Sequence, residues 1–403
     1  MKTMTDKTGK YGHIFPLLLL TVAGFTFNTS ELIPIGLLTD IASDFHVSEA
    51  RAGLLITVYA WVVALMSLPL MLLFAKWDYR RLMMWVVGVF FFSHIGSVMS
   101  TGYYSLMASR IGVALAHSLF WSIAPAMAVA VTPPEKRATA LSALVAGGGI
   151  ALIAGLPLGR ILGLVAGWRA TLGALGALAG LVWLGLKFGF PPLPQADRSE
   201  SRKAMLSSLV HCKPLLMIYL ITAVIVTGHY TGYSYIEPFM AQVAGMKASA
   251  ITVTLSLFGV AGLIGSYIMS RWFNRYSRRL IAGSCLTLPL MMLLLLPMTG
   301  IHPLLLSVIC IFWGMAMTVY NIAFQNEIIS LFPSDSAVPM SFYSGIFNLG
   351  IGAGAFVGGM IVDHDLIDEI GYIGGVIALA AATYTLFFYM PARAVRDNSP
   401  QKP

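Results

Sequence analysis

Apolar runs of about 19–28 residues, each closed by a short turn of glycine, proline or charge, recur along the whole chain. Six lie near residues 14–38, 51–75, 82–100, 104–131, 138–164 and 169–189. Six more lie near 215–241, 248–270, 280–299, 303–329, 337–362 and 370–390. Runs of this length predict helices that cross a bilayer, since about 20 apolar residues in a helix span its hydrocarbon core. The longest polar break, PPLPQADRSESRKAMLSSLVHCK, runs from Pro191 to Lys213 and divides six spans from six. The pattern therefore predicts an all-α polytopic membrane protein with twelve transmembrane helices in two six-helix bundles. The bundles cover residues 14–189 and 214–390, joined by a linker over 190–213 and flanked by tails over 1–13 and 391–403.

Like basic turns follow the second and the eighth spans: WDYRR ends at Arg81, and NRYSRR at Arg279. Matching positions in the two halves point to a parallel internal repeat. Arginines gathered by any cytoplasmic loop would look similar.

Composition agrees with the pattern. Of 403 residues, 58% are hydrophobic and only 10% charged, with a mean hydropathy of +0.81. Soluble domains carry about 25% charged residues, so a soluble fold is excluded. The net charge of +8 would suggest nucleic acid as a partner in a soluble chain. Here its placement explains it. With the N-terminus inside, every lysine and arginine except Arg51, Arg110, Arg160, Arg169 and Lys247 falls on the cytoplasmic side. That asymmetry fixes both termini in the cytoplasm, as expected for a multi-pass protein of a bacterial inner membrane. The opposite loops are acidic, with Asp40, Asp44 and Glu49 in one and Asp363, Asp365, Asp368 and Glu369 in another. No nucleic-acid partner is expected.

Cys212, Cys285 and Cys310 lie far apart, which supports neither a disulfide framework nor a metal site. The chain has no HExxH, GxSxG or GxxxxGK[ST], so hydrolysis and nucleotide-driven pumping lack their usual parts. No cofactor or metal is expected. The Asn28-Thr29-Ser30 triplet matches a glycosylation acceptor, but it sits in a segment due to be buried.

The polar residues left inside the spans carry the candidate chemistry. A charge near the bilayer centre costs roughly 2.5–3.5 kcal/mol, and such groups usually face a bundle interior and pair with one another. Glu31 and Asn28 share a face of the first span. Arg110, His117 and Trp121 form a stripe on the fourth, and His229, Tyr233 and Glu237 one on the seventh. An arginine cannot shed its charge to escape hydrocarbon, whereas a carboxyl exists charged or neutral. Glu31 is therefore the leading proton-coupling candidate, with Arg110 setting its proton affinity and His117, His229 and Glu237 behind it. Glu237 lies near a span end, where water would make it ordinary, and His94 reads as a packing residue. Trp61, Trp121, Trp313, Asn321, Gln325, Tyr343 and Asn348, with Asn28 and Tyr233, are candidates for stacking on and hydrogen-bonding a small solute.

Glycines cluster in the fifth span, GGGIALIAGLPLGRILG, and in the eleventh, at Gly345, Gly350, Gly352, Gly354, Gly358 and Gly359. Small residues let neighbouring backbones approach closely. Either they serve packing alone, or the two helices meet across the repeat and let it rock.

GLPLGR at Gly155–Arg160, followed by GWR ending at Arg169, resembles the fifth-span antiporter motif of the major facilitator superfamily, and Arg110 in SRIGVALAH resembles its fourth-span arginine. FNTSELIPIGLL, TVYAWVVALMSLPLML, SRIGVALAHSLFWS, HYTGYSYIEPF and SGIFNLGIGAGAFVG together resemble its sugar efflux transporters of the SotB type. The resemblance implies a proton-coupled exporter of small sugars working by alternating access, with Gly155, Pro157, Gly159 and Arg160 as conformational motif and Arg80, Arg81, Arg278 and Arg279 latching the cytoplasmic loops. The loop after the second span departs from the family pattern, with Leu72 and Lys76 where a glycine and an aspartate are usual, and Asn274 stands at the acid's place in the second half. Multidrug efflux is the close alternative, because aromatic rings also suit amphipathic drugs. An intramembrane enzyme or a channel is disfavoured. Saturable turnover would separate a carrier from the ohmic conduction of a channel.

If the charge pattern sets the topology, Cys212 in the linker reacts with a membrane-impermeant maleimide in spheroplasts only after permeabilisation. Ready labelling from outside would invert the assignment.

Overall fold

The computed structural model describes residues 14–74, 77–133, 136–191, 211–332 and 337–398. Lys76, most of the expected linker and the residues at either end of the chain fall outside these. The described residues are helical, with no strand among them.

In the first half the helices are α1 (Ile14–Gly36), α2 (Glu49–Leu73), α3 (Tyr79–Val98), α4 (Tyr103–Ala130), α5 (residues 137–166) and α6 (Trp168–Gly189). A short helix, Leu38–Asp44, links α1 to α2. The second half begins with α7 (Lys213–Tyr233), followed by one continuous 46-residue element, Ala248–Leu293. At 1.5 Å per residue that element would be about 69 Å long, more than twice the hydrocarbon core. Its backbone leaves helical geometry at Tyr276 (φ −128°, ψ 27°), which divides it into α8 and α9. Then come α10 (Pro303–Leu331), α11 (Ala337–Asp363) and α12 (residues 370–398). Eleven described helices are long and apolar enough to cross a membrane. Counting the bent one as two recovers the twelve predicted spans.

Two helices change winding where the sequence forbids a regular ladder. A π turn, Ala151–Gly155, interrupts α5 immediately before Leu156 and Pro157. A proline ring clashes with the carbonyl four residues earlier, and a widened turn moves that carbonyl aside. A second π turn, Thr385–Tyr389, lies within α12, which continues as helix to Asn398. Residues 391–398, expected as tail, are thus helical. Gly167 joins α5 to α6 with φ of +85°, a left-handed backbone that glycine takes without strain.

The chain forms two compact units. The first comprises residues up to Asp40 together with Leu65–Asp197. In it α1 packs on α5 and α6, and α3 packs on α4 and α6. The second comprises Ile41–Ala64 and Arg198 onward, so it takes in the first half of α2. In it α7 packs on α11 and α12, and the α8–α9 element packs on α10 and α12. The corresponding helices pair alike in both units, as an internal repeat requires. The start of α2 is tied into the second unit by polar contacts. Gln242 Nε2 donates to both carboxylate oxygens of Glu49 (2.8 and 2.9 Å), and Ser48 donates to Asp363 (3.1 Å).

The glycine-rich helices use their small residues inside their own units. A Cβ on Gly155 would meet Thr29 of α1, and one on Gly159 would meet Ile33. In α11, Gly354 and Gly358 face the α7 backbone, while Gly352 and Gly359 face α2 and Tyr235. The neighbours of these glycines are therefore α1 for α5, and α7 and α2 for α11. Lipid offers helices no hydrophobic drive to associate, so close backbone approach is what holds them.

Gly354→Leu places side-chain atoms against the α7 backbone, where even a Cβ would lie 2.8 Å from Thr231 N. Overpacking of this kind costs roughly 1–3 kcal/mol, which should lower the unfolding temperature of purified protein. Gly149→Ala, with nothing within 4 Å of a new Cβ, should leave it unchanged or higher. Equal melting curves for the two would remove the packing role of Gly354.

Candidate functional site

The ionisable groups of the first unit are organised by a proline. Pro34 lies inside α1 and has no N–H, so the carbonyl of Ser30, four residues earlier, has no intrahelical donor. Arg110 supplies one. Its Nη1 donates to the Ser30 carbonyl (3.0 Å) and to the Ser30 hydroxyl (3.1 Å), with the arginine only 2% exposed. The Ser30 oxygen also lies 3.0 Å from His94 Nε2, and His94 Nδ1 lies 2.9 Å from the Phe90 carbonyl. A carbonyl only accepts, so Nδ1 carries the hydrogen and, in the neutral ring, Nε2 accepts from Ser30. The result is a directed chain from Arg110 through Ser30 and His94 to the α3 backbone.

Glu31 follows Ser30 directly. Its carboxylate lies 4.0 Å from His117 Nε2, and its side chain is 20% exposed against 5% for the histidine. His117 thus meets the Glu31 carboxylate, while Arg110 bonds the neighbouring Ser30. Phe27 closes the apolar side of the group, stacked on Phe120 (4.4 Å) and set against the edge of His117 (5.8 Å). Asn28 is half-buried in the groove left by Gly148 of α5, and Trp121 lies over Gly24. Sequence reasoning thus found Glu31, Arg110, His117, Asn28 and Trp121, which the fold brings into one unit. It passed over Ser30, and it read His94 as packing alone. Their signal was the pairing of Ser30 with Pro34 at a spacing of four, which announces a carbonyl in need of a donor.

Arg160, the second buried arginine here, donates to the carbonyl of Gly36, the last residue of α1. The final carbonyls of a helix have no intrahelical donor, so the guanidinium meets a group that otherwise stays unsatisfied. Thr171 donates to the Gly159 carbonyl (2.8 Å), which ties α6 to the α5 motif. Arg80 caps the end of α6 through the Lys187 carbonyl (2.8 Å). Asp78 caps the start of α3 by accepting from the Arg81 backbone (2.9 Å), so an acid does serve this turn, two positions after Lys76. In the second unit Arg278 and Arg279 are exposed, and Arg279 lies over the Tyr276 ring (5.7 Å).

The second unit gathers two groups of candidates. Asn321 Oδ1 accepts from Gln325 Nε2 and from the Tyr343 hydroxyl, both at 2.9 Å. His229 stacks on Tyr233 (5.1 Å) and meets the edge of Trp313 (5.3 Å), all three buried. Trp61 approaches Phe356 at 6.0 Å, and Asn348 bonds within its own helix to the Ser344 carbonyl (3.0 Å). Glu237 departs from expectation twice. It is 4% exposed rather than hydrated, and it does not continue the stripe of His229 and Tyr233. The α7 helix ends at Tyr233 and the chain turns before a new short helix, Ile236–Pro238. A spacing of four marks a common face only while the helix runs on.

Glu327 is a functional-looking residue that sequence reasoning missed. It is buried in α10 and holds Arg393 and Arg396 of α12. An acid inside a span is by itself a signal of this kind.

Among the described residues, helices long enough to cross a membrane bury charged groups between them, an architecture that suits a membrane transporter. The chain belongs to the Major Facilitator Superfamily, whose family model matches residues 18–338. Solved structures bear the same fold. A bacterial homolog of the human lysosomal transporter Spinster, inward-facing and occupied, is 17% identical, with a TM-score of 0.78 over 98% of this chain and 100% of that one. A D-xylose-proton symporter is 14% identical, with a TM-score of 0.76 over 93% of this chain and 98% of its own. A nucleoside transporter is 12% identical, with a TM-score of 0.71 over 92% and 99%.

Ser30→Ala removes the hydroxyl that both accepts from Arg110 and donates to His94. An unsatisfied buried group costs about 1–3 kcal/mol, and the loss should appear in the unfolding temperature. His94→Gln keeps an acceptor at similar reach and should cost less than His94→Leu. Equal losses for the two would reduce the ring to filler.

Proposed function

We propose that this transporter is a proton-coupled secondary carrier that exports small sugars or sugar-like solutes by alternating access. The observation that carries the reading is the Glu31 carboxylate, part exposed, 4.0 Å from His117 and beside the Ser30 anchored by Arg110. A carboxyl that can pass between charged and neutral forms, next to a cation that cannot, is what coupling to protons requires. Protonation of Glu31 relieves its pairing with the cationic surroundings; deprotonation restores it, and each form favours a different conformation of the carrier. Arg110, fixed through Ser30 and His94, sets the field at the carboxylate, and His117 is the group to which its proton passes.

Asn28 and Trp121 in the first unit, and Asn321, Gln325 and Tyr343 in the second, supply hydrogen bonds and a ring face suited to a polyhydroxylated solute. His229, Tyr233, Trp313, Trp61 and Asn348 complete the candidate lining, and Glu237 is a reserve proton site. Residues 14–189 and 214–390 act as the two halves of the carrier, with both termini in the cytoplasm of a bacterial inner membrane. The direction of transport and the sugar class rest on the resemblance of the five sequence stretches to sugar efflux transporters. The energetics permit export: one charge crossing about 100 mV supplies roughly 2.3 kcal/mol, enough for a gradient of about fifty-fold.

In inverted vesicles with an imposed pH gradient, labelled sugars should accumulate with saturation and amphipathic cations should not. The reverse preference would make the protein a multidrug antiporter. Glu31→Gln fixes the neutral form, so it should keep counterflow exchange and lose accumulation driven by the gradient. Arg110→Ala should lose both. Uphill transport by Glu31→Gln in proportion to the gradient would move the proton path to His117, His229 or Glu237.

A further inference from the structure

In the second unit a run of buried hydroxyl groups ends on the amide pair of α10. Thr222 of α7, Tyr320 of α10 and Tyr343 of α11 are all buried. The Tyr320 hydroxyl donates to Thr222 Oγ1 (2.9 Å), and Thr222 is in turn hydrogen-bonded with the Tyr343 hydroxyl. Tyr343 donates to Asn321 Oδ1 (2.9 Å), which also accepts from Gln325 Nε2 (2.9 Å). A hydroxyl has one hydrogen to give. Tyr320 gives its own to Thr222, so the Thr222 hydrogen is left for the Tyr343 oxygen and the Tyr343 hydrogen for Asn321. The donors all point one way, from Tyr320 through Thr222 and Tyr343 to Asn321.

That direction decides which end of the amide is offered to a solute. An asparagine carries two donors on its nitrogen and two acceptor sites on its oxygen, and the order of hydrogen bonds around it tells the two ends apart. At Asn321 both acceptor sites are taken, one by Tyr343 and one by Gln325. Its nitrogen remains. Gln325 gives one N–H to Asn321, which leaves its Oε1 open. Among the described residues neither Asn321 Nδ2 nor Gln325 Oε1 has a hydrogen-bond partner. Both side chains are half-buried and lie one turn apart on α10. They present a donor beside an acceptor. Turning the amide over would strand the buried Tyr343 hydrogen, and an unpaired buried group is penalised.

A neutral hydroxyl both donates and accepts, so neighbouring hydroxyls of one solute satisfy both ends. A carboxylate or phosphate only accepts and sets its charge against Gln325 Oε1. An ammonium only donates and leaves Asn321 Nδ2 unpaired. A site built to hydrogen-bond a solute rejects a group that cannot complete the bonds.

We propose that Thr222, Tyr320 and Tyr343 are positioning residues that hold Asn321 as a donor beside the Gln325 acceptor, and so select neutral hydroxylated solutes over charged ones. Asn321 and Gln325 line the solute path in the function proposed above, and the assignment rests on that reading.

Counterflow by the full chain in liposomes tests this, with a labelled neutral sugar, a nucleoside, a sugar phosphate and an amphipathic cation as solutes. The neutral hydroxylated solutes should exchange and the charged ones should not. Thr222→Val and Tyr343→Phe should each raise the half-saturation concentration by about tenfold, the loss of roughly one hydrogen bond, with the maximal rate little changed. Thr222→Ser keeps the hydroxyl and should restore the parent value. Tyr343→Phe added to Asn321→Ala should cost nothing further, because the tyrosine acts through the asparagine. Thr254→Val breaks a comparable bond to Ser307 (2.7 Å) away from this group and should leave half-saturation unchanged. Additive losses in the double variant, a serine no better than valine at 222, or an equal shift from Thr254→Val would each overturn the assignment. A parent that exchanges only the phosphate or the cation overturns it as well. Exchange of the nucleoside without the sugar would instead overturn the sugar reading, and the same double variant, run with the nucleoside, decides the assignment. No exchange of any solute overturns both.

Discussion

An arginine inside a bilayer keeps its charge, and the fold of the first unit is arranged around that fact. Arg110 and Arg160 are each 2% exposed. Both bond carbonyls of α1 that the helix itself leaves open, at Ser30 because Pro34 offers no N–H and at Gly36 because the helix ends there. Each contact satisfies two groups that are costly to bury unpaired, a cation and a carbonyl. It also locks α1 to α4 and to α5, on either side of Glu31. The candidate site is thus a consequence of where α1 cannot complete its own ladder.

The same logic runs through the second unit with the signs exchanged. There a buried acid, Glu327, is the group in need, and Tyr389, Arg393 and Arg396 converge on it. Removing one partner from such a cluster leaves a buried charge uncompensated, which costs more than the contact gains. The π turn in α12 precedes both arginines by a few residues and is part of how they reach α10. Between these polar anchors the helices are held by close backbone approach at glycines, since lipid provides no hydrophobic drive.

How much of this was legible in advance depended on the range of the signal. The spans were legible because each is a local run of apolar residues, and the bend at Tyr276 restored the count that one unbroken helix would have reduced. The proximity of Glu31, Arg110 and His117 was foreshadowed because charge in hydrocarbon is conspicuous, and helical spacing put Arg110 and His117 on one stripe. The stripe drawn from His229 through Tyr233 to Glu237 failed because the same spacing rule was extended past Tyr233, where α7 ends. The partners of the glycines were not legible because a small residue announces a close neighbour without saying which helix it is.

By itself the sequence determined the membrane class, the helical crossings and which buried residues carry charge. These follow from hydrophobic length and from the cost of burying charge, both of which are properties of short segments. Only the tertiary structure decided which groups meet: His117 at the Glu31 carboxylate, His94 joined to Arg110 through Ser30, and Glu327 facing arginines more than sixty positions away. Which side chains converge is set by how whole helices pack, and helices of nearly uniform apolar surface carry little local information about their neighbours. The polar groups then select among the packings, because each one left unpaired in hydrocarbon is penalised.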